Sequence, residues 1–430
     1  MSSKSNRSSL RKKISLSEDQ YSVIIFLFFL VKFLIFGVNR RIIFSSVVST
    51  YYILCYNQGF IPRAFIGSVI SLFTNYLTND VLNIIISVIT LLLLALVSIM
   101  LAKAISKSAP EFKPATLLFT FLLITAPLSN TYLVERHFGR LDTFLLLFTL
   151  LALACLKKPY LKWTVPALCF AAVATHPGYM VTYMPALAIP LLYEVYRNKY
   201  SKKSIMLFFS CCLILISFFV YFQYLSPQVN FANAEAFGAY LSKHTDMKIS
   251  NPVLYLEYFS QHLNPLTNPN SFTDLMLPML KNTALPTILV FFAFSFPLII
   301  IFAAVWKIGI RNADNIFLKF IYILCALSPL VFIPAALFGQ DWERWWAAVI
   351  NCQFIFIFYF IISLEESLMD SLKMITNFFD THSLILLCIL AFSSSLILSN
   401  INSFILFIFD RNIWFNFFDK VLTNFEHLLN

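Results

Sequence analysis

Four short segments gather arginine, histidine, carboxylate and glycine between long apolar runs. They are Asn57-Gln58-Gly59-Phe60-Ile61-Pro62-Arg63, followed by Gly67; Glu135-Arg136-His137-Phe138-Gly139-Arg140-Leu141-Asp142; Thr175-His176-Pro177-Gly178-Tyr179; and Gly339-Gln340-Asp341-Trp342-Glu343-Arg344-Trp345-Trp346. Arginine's planar fork holds phosphate through paired hydrogen bonds. Histidine and carboxylates move protons near neutral pH, and tryptophan and tyrosine offer flat faces to sugar rings. Five of the eight glycines, Gly59, Gly67, Gly139, Gly178 and Gly339, lie in or beside these segments, where the backbone turns sharply or approaches a ligand. The expected roles follow from type. Arg63, Arg136, His137, Arg140, Trp342 and Arg344 bind substrate, with Arg136, Arg140 and Arg344 on a diphosphate. His176 is the first choice as general base, and Asp341, Asp142 and Glu135 are the alternatives.

Each feature also has a plainer reading. Arg63 can snorkel to lipid headgroups, and Trp342, Trp345 and Trp346 can form an interfacial belt. Arg136 with Arg140, and Asp341 with Arg344, have spacings that allow local pairs on a helix. His176 can be a packed, hydrogen-bonded histidine. What favours chemistry is the joint presence of arginine, histidine, carboxylate and aromatic residues across four segments that the threading below brings to one face.

The elements that must position them are transmembrane helices. Of 430 residues, 59% are hydrophobic and only 12% charged, with a mean hydropathy of +0.78, against roughly 25% charged in soluble domains. That composition excludes a water-soluble fold. A span needs about 20 mainly apolar residues, and eleven runs, several of them short, meet or approach this: 20–38, 81–102, 115–130, 143–156, 163–175, 178–194, 205–224, 285–305, 315–338, 345–364 and 382–400. The expected fold class is therefore all-α, a polytopic transmembrane helix bundle of about 11 spans (10–12). Residues 42–79, broken at Asn57-Gln58-Gly59 and Pro62, are read as interfacial or re-entrant helices after the first span.

No repeat of fixed period and no low-complexity linker divides the chain. The expected organisation is a basic cytoplasmic tail at 1–19, one transmembrane domain at 20–400 with an outer loop or cap at 225–284, and an outer-side C-terminal segment at 401–430. The first apolar run lacks a small-residue cleavage site and reads as an anchor. The net charge of +10 fits basic cytoplasmic loops better than a nucleic-acid partner. The cysteines, such as Cys155, Cys211, Cys212 and Cys388, sit in apolar runs without metal-ligand spacing, so neither metal nor cofactor is expected.

With a cytoplasmic N-terminus, the short inside loops carry Lys103, Lys107 and Lys113; Lys157, Lys158 and Lys162; Arg197, Lys199, Lys202 and Lys203; and Lys307 and Arg311. Outside cations are spread over much longer loops, as the positive-inside bias requires. The same threading puts all four polar segments on the outer face, where ionisable groups at span ends mark a site. Arginines, proton carriers and aromatic faces together suit a reaction between lipid-linked phosphosugars at the outer leaflet.

The order Gly-Phe-x-x-Arg-x-x-x-Gly, Gly-Arg-x-Asp, His-x-Gly-aromatic and Asp-Trp-x-Arg-Trp, spanning residues 57 to 346, resembles multispanning proteins of bacterial surface-polysaccharide clusters. The resemblance implies an O-antigen or capsule polymerase, or a relative of the GT-C glycosyltransferases that use polyprenyl-phosphate sugars, in the bacterial inner membrane. It implies polyprenyl-linked glycans and membrane lipid as partners, with polysaccharide chain-length or export proteins alongside. The chain departs from that pattern in having Pro177 after the histidine and Glu343 before the arginine. It also has no carboxylate across 39–79, where GT-C enzymes carry one in their first outer loop. That absence moves the expectation toward polymerases acting on diphosphate-linked glycans. Two other classes compete. A lipid-linked-oligosaccharide flippase would show repeated halves and a mid-membrane charge such as Lys32, and an integral O-acyltransferase would use His176 as base.

Overall fold

The computed structural model describes residues 16–34, 42–126, 133, 137–225, 229–259, 285–333, 342–387 and 389. The expected sites Glu135, Arg136 and Asp341, most of the span at 382–400 and the segment 401–430 lie outside them. All regular structure among the described residues is helical, as expected, and the one β-type contact is an isolated bridge between Leu77 and Thr245.

The chain runs through α1 (Glu18–Phe33), α2 (Ser46–Ile53), α3 (Phe65–Ser71), α4 (Asn79–Lys107), α5 (Lys113–Thr125), α6 (Asp142–Leu156), α7 (Val165–Thr175), α8 (Met184–Arg197) and α9 (Lys202–Tyr224). After it come α10 (Ala234–Ser242), α11 (Asn251–Leu254), α12 (Leu285–Asn312), α13 (Ile316–Leu327), α14 (Trp342–Ile362) and α15 (Glu366–Thr381). Starts are set by local chemistry. Ser17, Thr78 and Ser201 each accept a backbone N–H in the first turn of α1, α4 and α9, and α5, α7 and α8 open on proline near the first position, where its missing N–H costs nothing.

Among the described residues, four helices are long and apolar enough to cross a membrane: Asn79–Lys107, Lys202–Gln223, Ser295–Asn312 and Arg344–Ile362. They mark an integral membrane protein. The count is below the eleven expected: some apolar runs form shorter helices, among them Lys113–Thr125 and Asp142–Leu156, and others, such as most of 382–400, lie outside the described residues. α7 stops before Pro177-Gly178, and α13 passes into a 3-10 turn at Ser328–Phe332. In residues 42–79, α2 and α3, of 8 and 7 residues, reach only about 10–12 Å each, too short to cross a membrane alone. They pack closely through Gly67, where a Cβ would stand 2.0 Å from the Leu54 carbonyl oxygen.

The bundle is organised around α14. Phe354, Phe356, Phe358 and Phe360 are all fully buried, and a helix apolar on every side belongs in a core. The spanning part of α14 is 83% buried, that of α9 only 22%, so α9 stands at the periphery. α14 packs on α4, α8 and α12, and α6 on α4, α7 and α8.

The C-terminal ends of α6, α8 and α14 are tied by a closed polar network. Lys157 Nζ lies 2.6 Å from Glu194 Oε1 and donates to Ser363 Oγ at 2.7 Å. Tyr359 donates to the same Glu194 oxygen, and Asn198 Nδ2 to the other. Tyr193 donates to Glu365. Burial, only partly offset by Glu194, pulls the Lys157 pKa down to about 8.

Candidate functional site

At the opposite end of the same helices, the segment leading into α6 is held by rings. Phe138 stacks on Phe44 at 6.3 Å and lies 6.3 Å from Phe33. Gly139 then turns with φ +82, and a Cβ there would come within 2.6 Å of the Phe44 ring. Its carbonyl accepts the Tyr52 hydroxyl at 2.7 Å. Glycine is needed both for the left-handed backbone and for the approach. This turn buries His137, whose carbonyl accepts the Arg140 N–H at 3.1 Å, and delivers Asp142 to the first position of α6.

Asp142 meets Arg344 from the first turn of α14. Arg344 Nε donates to Asp142 Oδ2 at 2.6 Å, with the side chains 8% and 16% exposed. The contact joins the second and fourth polar segments across 202 residues of sequence. Burial would raise the Asp142 pKa, but the charge and hydrogen bond of Arg344 outweigh it and hold the carboxyl below its usual range. Asp142 is therefore an ionised acceptor at neutral pH.

His176 joins from the end of α7. Its extended backbone, φ −159, lets the ring fold over the next turn, where Nδ1 accepts the Gly178 N–H at 2.8 Å. A Cβ on Gly178 would stand 2.7 Å from that nitrogen, so this contact requires the glycine. Because Nδ1 is the acceptor, the neutral ring carries its proton on Nε2. Burial first, then Arg63, Arg344 and Arg140 against the opposing pull of Asp142, push the His176 pKa well below its ordinary value. The expectation of His176 as general base therefore meets a physical obstacle. The lone pair that would take the proton is engaged, and the ring is built to donate from Nε2.

The first segment completes the cluster. Gly59 has φ 134 and Arg63 φ 68, the latter a left-handed conformation that a residue with a Cβ adopts at a cost. Arg63 NH1 donates to Tyr51 Oη at 2.9 Å and pairs with Glu257. Among the described residues, Arg63 Nε and Thr175 Oγ1 are buried polar atoms without a hydrogen-bond partner. Such atoms are rare in folded proteins and call for an explanation.

Arg63, Arg140, Asp142, His176 and Arg344 thus form one electrostatic neighbourhood, with His137 buried in the turn before Arg140. The tryptophans divide. Trp346 donates to Ser295 Oγ at 2.5 Å and Trp345 packs edge-on to Phe332, which ties α14 to its neighbours, while Trp342 opens that helix. Glu257, Tyr51, Tyr52 and Thr175 were not among the expected site residues. Only Thr175 had a signal in sequence, its place beside His176; Glu257 sits in a stretch of scattered charges without a motif.

A buried carboxylate held ionised, a neutral imidazole donor and three arginines can bind an anionic group and take a proton from a hydroxyl beside it. The chain matches no protein-family model, no curated protein and no solved structure.

Proposed function

We propose that the chain is a bacterial inner-membrane glycosyltransferase of about eleven spans with a cytoplasmic N-terminus. It joins polyprenyl-(di)phosphate-linked sugars at the outer face, most simply as a surface-polysaccharide polymerase. The observation that carries the reading is the Asp142–Arg344 pair at 2.6 Å, with His176 and Arg63 acting on the same charge neighbourhood. Polar segments scattered from residue 57 to 346 would have little reason to converge if each were a local snorkelling or belt feature. The resemblance of their spacing to proteins of surface-polysaccharide clusters supports the same reading, and with it the proposal of polyprenyl-linked glycans as substrates and of chain-length or export proteins as further partners.

In this mechanism Asp142 accepts the proton of the acceptor hydroxyl as its oxygen attacks the anomeric carbon of the donor sugar. The bond from that carbon to the diphosphate oxygen breaks, and its electron pair leaves on the diphosphate. Arg63 and Arg140 hold the departing charge, and His176 donates to it from Nε2. Arg344 spends Nε on keeping Asp142 ionised. A diphosphate leaves readily when its charge is neutralised in place, so no strong acid is required.

Two observations weigh against the competing classes. Lys32, the charge that a flippase would set in a channel, is buried and donates to the Ile124 carbonyl at 2.8 Å, at the end of α5. An acyltransferase base at His176 would need the lone pair that Gly178 occupies. The test is the glycan ladder of host cells whose gene carries Asp142→Asn at normal membrane levels. The proposal expects single repeat units; a wild-type ladder removes Asp142 as base. Sidedness is checked separately. A cysteine at Phe73, 85% exposed, should react with an impermeant thiol reagent from outside, and one at Tyr160, 93% exposed, should not.

A further inference from the structure

The loop that carries Arg63 has no carboxylate of its own, since residues 39–79 contain none. The fold supplies one from far along the chain. Glu257 lies in the short π-turn Tyr255–Phe259 that follows α11, and π-type turns recur at functional sites. Tyr51 donates to Glu257 Oε1 at 2.8 Å across 206 residues of sequence, and accepts from Arg63 NH1 at 2.9 Å. The guanidinium carbon also lies 4.8 Å from the centre of the Tyr51 ring. Hydroxyl, carboxylate and ring together hold one side of the guanidinium.

The turn that brings Glu257 is itself anchored. Tyr258 donates to the Pro62 carbonyl at 2.9 Å, the residue just before Arg63, and Ser250 N–H donates to Thr50 Oγ1 at 2.9 Å. Phe237 packs edge-on to both Tyr258 and Phe259. Stability does not account for the result. A left-handed Arg63 costs about as much as a partly exposed ion pair returns. Arg63 Nε, meanwhile, is buried without a partner, so the guanidinium is clamped at NH1 and has unused donor capacity at Nε.

We infer that Glu257 is a positioning residue: with Tyr51 it fixes the Arg63 guanidinium by NH1 so that its remaining edge receives a phosphate oxygen of the substrate. The inference rests on the reading that the arginine cluster binds a diphosphate. It adds that the segment 229–259 is part of the site, because it carries the counter-ion that makes Arg63 a fork of fixed orientation. Glu257 does not touch the reacting atoms; it acts through Arg63.

The test uses purified full-length protein in detergent, titrated with inorganic pyrophosphate by calorimetry. A charge-assisted hydrogen bond that is lost when its donor swings free corresponds to about a 10-fold to 100-fold change in affinity. Glu257→Gln should therefore weaken binding at least about 10-fold at an unchanged melting temperature. Arg63→Lys should weaken it comparably, and the double variant should bind no worse than the weaker single one, because both changes remove the same oriented fork. Glu257→Gln that binds as wild type, or multiplicative losses in the double variant, overturns the inference. Tighter binding by Glu257→Gln also overturns it, because Glu257 would then compete with the anion. Should Glu257→Gln fail to fold, Tyr51→Phe decides, since it removes the shared hydroxyl and leaves both charges. About 3-fold weaker binding supports the inference and unchanged binding overturns it. If wild-type protein binds no pyrophosphate, the diphosphate reading falls with it. If wild type binds and Glu257→Gln binds equally, only the role of Glu257 falls. The glycan ladder of Asp142→Asn tests transfer independently of either result.

Discussion

The helices α6 and α14 carry polar clusters at both ends, and the two clusters are built on opposite principles. At their C-terminal ends, Lys157, Glu194, Tyr359 and Ser363 close a network in which Glu194 uses both oxygens and Lys157 meets two partners. Lys157 also caps α6 at the end where the helix dipole favours a cation. At the N-terminal ends, Arg344 stands in the first turn of α14, where the dipole opposes it. Arg63 adopts a left-handed backbone, and Arg63 Nε and Thr175 Oγ1 are buried without partners. Satisfied polar groups at favourable helix ends fasten a bundle; strained and incompletely paired ones mark the place where something is bound. On the proposed function, the first end is a fastener and the second the site.

Neutralising one acid at each end should separate the two sharply. Asp142→Asn removes the proton acceptor, and loss of a general base lowers rate by about 100 to 10,000-fold, enough to collapse a polymer to single repeats. Glu194→Gln should leave chain length per folded molecule unchanged, and equal loss of polymer in both would break the comparison. Next in size is the effect on stability of Arg344→Ala. Removing one partner of a buried pair costs about 3–5 kcal/mol, so this variant should fall in membrane abundance, as measured by immunoblot. Arg344→Lys should restore abundance while polymer length stays impaired, because an ammonium lacks the fork.

Smaller again is the mechanical effect at the other end. Lys157→Met leaves Glu194 with hydroxyl and amide partners only, a loss of about 1–3 kcal/mol, and thermal unfolding in detergent should shift down with pyrophosphate affinity unchanged. The smallest expected effect is one of pH. The folded pKa of Asp142 is below its unfolded value of about 3.9. The stabilisation from its pair is therefore complete above that value and is lost only as pH falls through the lower folded one. His176 is pushed well below its ordinary value by burial and the arginines, so no titration of its ring is expected near its unperturbed value of about 6.5. Pyrophosphate binding should be flat from pH 8 to 5.5 apart from the phosphate's own ionisation at about pH 6, and a further inflection near 6.5 that is lost in His176→Gln would return His176 to the role of base.

How far all this could be read from the chain depends on range. The helical class was legible because apolar composition is a local property, and the site segments were legible because their arginines and glycines are clustered within a few residues. Helix lengths were not, since proline and glycine breaks such as Pro177-Gly178 stop α7 inside an apolar run whose hydropathy continues. Glu257 was illegible for a different reason. Its significance is a contact made across 206 residues by a turn without any motif. His176 was found by type, but the sequence could not show the 2.8 Å contact to the Gly178 N–H, which bears on which ring nitrogen carries the proton.

The central claim, that the Asp142 end performs glycosyl transfer and the Glu194 end only fastens the bundle, is tested most directly in vitro. Purified protein would be reconstituted with the host's own polyprenyl-diphosphate-linked repeat unit and the lipid-linked products separated by length. The account predicts longer glycans from wild type and Glu194→Gln and none from Asp142→Asn at equal folded protein. No elongation by wild type, or elongation by Asp142→Asn at the wild-type rate, would contradict it.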